Sequence, residues 1–91
     1  MKNEIALHLR QFPVLAHDHR AGEVEAITIT LAKQQLQAAQ IVGQSSKELI
    51  ERLCDRQGYS VIEIGTPDRH TVILDLDKLV GRVEQDTGVG T

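Results

Sequence analysis

The sequence predicts an α+β domain: a small, mainly antiparallel sheet with helices on one face, in the order β-β-α-α-β-β-α. Three observations carry this. Apolar residues alternate in residues 26–31, as on a half-buried strand, and residues 59–64 are rich in strand-forming residues. Between them the apolar spacing lengthens to three and four, as a helix requires. Turn-forming residues cluster at 18–23 and 65–69, where strands would reverse.

Near the N-terminus Ile5, Leu7 and Leu9 alternate, although Ile5, Leu9 and Phe12 also fit one helix face. The alternation predicts a strand here. Pro13 breaks that run, and residues 14–17 resume an extended pattern. Asp18 can bond turn amides, and Gly22 can take the left-handed conformation that closes a hairpin loop. Residues 23–31 return as a strand. Val24 is out of phase with Ile27, Ile29 and Leu31, which predicts a bulge or face switch near Glu25 and Ala26.

A first helix is predicted over residues 32–42, with Leu36, Ala39 and Val42 at spacings of three and Gly43 as its left-handed cap. Ser45 or Ser46 caps the next helix, and Ser45 with Glu48 has the spacing of a capping box. That helix runs to residue 56 or 57, placing Leu49, Ile50, Leu53 and Cys54 on one face, and Gly58 ends it. A second hairpin follows, with strands at 59–64 and 71–76 and a turn of Gly65, Thr66, Pro67, Asp68 and Arg69. Asp77 would cap a short helix at 78–84. Residues 1–85 thus form one domain, and 86–91 a flexible C-terminal tail.

Composition narrows the function. With 91 residues there is room for one core. Phe12 and Tyr59 are the only aromatic residues, so that core is aliphatic and its stability margin thin. A homodimer is the expected remedy. The single cysteine excludes an internal disulfide; with no signal peptide and no membrane-length apolar run, a cytoplasmic setting without membrane contact is expected. Net charge is −3, and residues 26–59 alone lean basic, with four cations against three carboxylates. An acidic chain without a basic tract starts at a disadvantage against phosphates.

Residues 27–54 resemble two DNA-binding families. Gly43, Ser45, Glu48, Leu49 and Ile50 match the Gly-x-Ser-x-x-Glu-Leu-Ile turn of ribbon-helix-helix repressors. The resemblance implies that Ile27, Ile29 and Leu31 face the core, that Thr28 and Thr30 read bases, and that the helix start at Ser45, Ser46 and Lys47 meets a phosphate. The strand would pair with that of a dimer mate. The first helix is about a turn shorter than that family has, and its reading positions lack Arg, Lys, Asn and Gln. Ala39, Gly43, Ser45 and Leu49 are also similar to a helix-turn-helix, whose second helix would present Ser46, Lys47, Glu51 and Arg52 to the groove. The second hairpin would then be a wing with Arg69 at its tip.

Other chemistry is sparse. His17 and His19 flank Asp18 and would share a metal only if the strand continued through the turn. Cys54 lies on an apolar helix face without a base, and Asp75 and Asp77 fit a helix cap better than an acid–base pair. No catalytic residue, metal or cofactor is expected, and the chain reads as a non-enzymatic binding protein. The first candidate is a dimeric DNA-binding or regulatory protein using Thr28, Thr30, Ser45, Ser46, Lys47 and Arg52. The second is an acidic protein-interaction module, with no nucleic-acid role, docking through a sheet edge or its acidic C-terminal third.

Overall fold

A computed structural model of the chain describes residues 3–85; the predicted tail at 86–91 lies outside them. The elements are β1 (Glu4–Asp18), β2 (Glu23–Ala32), α1 (Lys33–Ile41), α2 (Ser46–Arg56), β3 (Tyr59–Ile64), β4 (Asp68–Asp75) and β5 (Val80–Gln85). This overturns the predicted α+β arrangement and its β-β-α-α-β-β-α order. Strand takes 54% of the described residues and helix 24%, so the fold is sheet-dominated: a curled antiparallel half-barrel carrying two helices.

β1 organises everything. One edge pairs antiparallel with β2, from Leu9 opposite Ala32 to Asp18 opposite Glu23. Its other edge is shared. Residues 4–11 pair with β4, and residues 14–18 pair with β3. β3 and β4 therefore run the same way, end to end along β1, and the predicted second hairpin does not exist. β5 closes the sheet by pairing with β4.

Pro13 explains the break between β3 and β4. A residue's N and C=O point to the same edge of a strand. The Pro13 carbonyl accepts from the Gly65 N–H at 2.8 Å, so its hydrogen-less nitrogen faces the same edge, between the two strands. β1 thus continues through the proline instead of ending there. Gly65, read as a hairpin residue, steps the chain past the ring: a Cβ at Gly65 would stand 2.8 Å from Pro13 Cγ.

The predicted terminal helix is also absent. Asp75 Oδ1 accepts from the Asp77 N–H at 3.0 Å, and the Asp75 carbonyl accepts from the Lys78 N–H at 3.2 Å. Leu79 then turns with φ 54°, and residues 80–85 return as β5. Asp75 caps a turn where Asp77 was expected to cap a helix.

The core lies on one face of the sheet. Phe12, Val14 and Ala16 are buried at alternate positions of β1, with Leu31 beside them on β2 and Ile50 and Cys54 of α2 packed against them. The β1–β2 register is unbroken, so of the bulge or face switch expected near Glu25 and Ala26 it shows the switch: Val24 opposes His17 off the core row, whereas Ile27 and Ile29 oppose Val14 and Phe12 on it. Glu25 instead fills a core-side slot opposite Ala16, where Tyr59 Oη donates to its Oε2 at 3.3 Å. The irregularity sits in β3: Val61 opposes Ala16 and Ile64 opposes Val14, one residue more than β1 supplies. Ile62 is pushed outward and remains 55% exposed.

Candidate functional site

α2 is built for a fixed position. Ser45 Oγ accepts from the Glu48 N–H at 3.1 Å and donates to Glu48 Oε1 at 3.0 Å. The same carboxylate accepts from the Ser45 N–H at 3.2 Å. That backbone bond, then the hydroxyl, hold the Glu48 carboxyl below its ordinary pKa, with the Arg52 charge adding to both. Ile50 and Cys54 anchor the inner face of the helix to the sheet.

A groove of about 490 Å³ opens between this helix and β3. Phe12 and Ile50 form its apolar floor, Val61, Ile62 and Ile64 one wall, and Lys47 and Glu51 stand on the helix side. β3 pairs with β1 alone, so among the described residues its outer edge has no strand partner. Unpaired backbone donors and acceptors therefore border a trough with an apolar floor and the polar Ser46, Lys47, Glu51 and Glu63 around it, where an added strand could pair.

The six residues expected to contact nucleic acid are not brought to one surface. Thr28 and Thr30 are exposed on β2, opposite Pro13 and Gln11, on the face away from the core row. Ser45 caps α2 and Ser46, Lys47 and Arg52 belong to it, on the core side of the sheet. One edge of the would-be ribbon is taken by β1 of the same chain, with Val14 opposite Ile27; a dimer mate would have only the outer edge. The start of α2 already holds the Glu48 carboxylate. Its outward charges balance, with Lys47, Arg52 and Arg56 against Glu48, Glu51 and Asp55. Arg69 lies within β4 and not at a wing tip.

The remaining candidates are also placed. The His17 and His19 rings lie 5.7 Å apart, and His19 Nε2 bonds the Ser60 hydroxyl. Among the described residues no third ligand completes a metal-binding group with them. Burial pushes the Cys54 thiol above its ordinary pKa. No helix among the described residues is long and apolar enough to cross a membrane.

The groove residues escaped the sequence reading because the β3 bulge was not legible. Strict alternation pairs Ile62 with Ile64, whereas the bulge puts Ile64 with Val61. The three-residue step between those two was the available signal. No family model matches this sequence, and neither a curated protein nor a solved structure matches the chain.

Proposed function

We propose that this chain is a non-enzymatic protein-interaction module that takes an extended peptide segment into the groove between α2 and β3. The observation that carries the proposal is the open edge of β3 beside a trough with an apolar floor. A peptide lying along Tyr59–Ile64 would satisfy free backbone groups and set alternate side chains over Phe12 and Ile50. Lys47 and Glu51 would select its charge. Cytoplasmic placement suits this reading, since the one thiol is buried and free.

Selection from a displayed peptide library tests it. Enriched peptides should shift the amides of residues 46–51 and 59–64 in a ¹⁵N–¹H spectrum, and Ile62→Asp should abolish binding. Failure to enrich any sequence, or shifts confined to other elements, would refute the proposal.

A second observation bears on the expected homodimer. Ile5, Leu7 and Leu9 occupy odd positions of β1, whereas the core row Phe12, Val14 and Ala16 occupies even ones. The apolar side of β1 therefore changes along the strand, leaving an apolar sheet face away from the core that we assign to a second copy.

A further inference from the structure

Arg10 and Arg69 are direct cross-strand partners in β1 and β4, so their side chains leave the same face of the sheet. That face is the core side, since Arg10 precedes Phe12 in the even-numbered row and opposes Leu31 on β2. Lys33, the first residue of α1, stands over the same place. Together with His8 and Thr71 these residues border a hollow of about 180 Å³. A single water needs roughly 15 Å³ of such space.

The charge here is unusual for this chain. Three permanent cations meet in a protein of net charge −3. Among the described residues the ion pairs are those of Arg82 with Glu4 and with Glu84, and no carboxylate reaches Arg10, Lys33 or Arg69. Like charges placed directly opposite on adjacent strands repel. The start of α1 adds to the positive field: Ala32 has no side-chain acceptor, and the first turn holds no acidic residue. The Ala32 N–H is met by the neutral Gln35 Oε1 at 2.8 Å, whereas the start of α2 is closed by the Glu48 carboxylate.

We propose that the hollow is a binding site for a phosphate group, clasped by the Arg10 and Arg69 guanidinium groups and the Lys33 ammonium. Guanidinium forks match the oxygens of a phosphate, and one dianion would turn the repulsion of the paired arginines into attraction. The phosphate belongs either to a small phosphorylated molecule or to a nucleic-acid backbone. The site is independent of the peptide groove.

The test uses the full ¹⁵N-labelled chain, titrated with inorganic phosphate and, separately, with chloride at matched ionic strength. Phosphate should shift the amides of residues 8–10, 33–35 and 69–71 saturably, and chloride should not. Arg10→Gln and Arg69→Gln should each weaken binding about tenfold, the usual cost of losing a charge-assisted hydrogen bond. In chloride both variants should melt at or above the parent's temperature, because a repulsion has gone. Phosphate should then raise the melting temperature of the parent more than that of either variant at the same concentration. A random-sequence duplex separates the sources. If it shifts the same amides and competes with phosphate, the ligand is a nucleic-acid backbone; if it does neither while phosphate binds, the ligand is a small phosphorylated molecule. Absence of a saturable phosphate shift, or binding by both arginine variants as tight as the parent's, would overturn the site.

Discussion

Gly65 shows how one residue decides the course of the chain. Its φ is ordinary, so its requirement is space: a Cβ would meet the Pro13 ring at 2.8 Å, and a ring cannot rotate aside. Gly81 provides the contrast. There the same 2.8 Å approach is to Leu74 Cδ2, the free end of a flexible side chain. Gly65→Ala should therefore cost about 1–3 kcal/mol as overpacking, and Gly81→Ala clearly less, as read by urea denaturation of the two variants side by side. Equal losses would show that the Pro13 contact does not govern β3 and β4. Cys54 supplies a second residue-scale expectation. It is 1% exposed with a raised pKa, so a thiol reagent at pH 8 should react slowly with the native chain and rapidly in denaturant. Fast native labelling would place the helix off the sheet.

At the scale of elements, what was legible follows from where the determining contacts lie. α1, α2 and the first hairpin were readable because their signals are local. Ser45 and Glu48 cap α2, Gly43 and Gly58 take φ of 74° and 86° after the helices, and Asp18 Oδ1 accepts from the Arg20 N–H at 2.9 Å in the turn. The rest depended on partners distant in sequence. Pro13 can stay inside a strand only because Gly65 meets its carbonyl, and residues 80–85 become β5 only because β4 offers an edge. Leu79, Val80 and Val83 satisfy a helical spacing equally well in isolation. The capping box makes its own prediction. Ser45→Ala should destabilise the fold by about 1 kcal/mol. Because the folded-state pKa of Glu48 is depressed, its contribution is whole above the ordinary carboxylate range and is lost as pH falls through the lowered value. Stability measured by denaturation from pH 7 down to 3 should thus fall more steeply in the parent than in Glu48→Gln. Parallel curves would mean that the carboxylate is not held by the cap.

The whole molecule is elongated, 51 × 31 × 28 Å, because β1 outruns the helices that cover its second half. Its first half pairs with β4 in a register that puts Ile5 beside Leu74 and Leu7 beside Val72, and β5 sets Val83 beside Val72. Directly paired residues share a face, so these side chains form one continuous apolar patch. None of them joins the core cluster, and Ile5 and Val83 remain 45% and 65% exposed. A core with Phe12 as its only buried aromatic residue gains from a second buried surface. A two-fold axis lets one patch cover its own copy, and closure keeps the association from growing into fibres. Light scattering after size exclusion should therefore give twice the chain mass at micromolar concentration. Leu7→Lys combined with Val72→Lys should return the monomer mass with circular dichroism unchanged, since neither residue supports the helix-covered core. A parent chain at monomer mass throughout the concentration range would refute self-association through this face. A double variant that remains dimeric would move the interface from this face to one of the free strand edges.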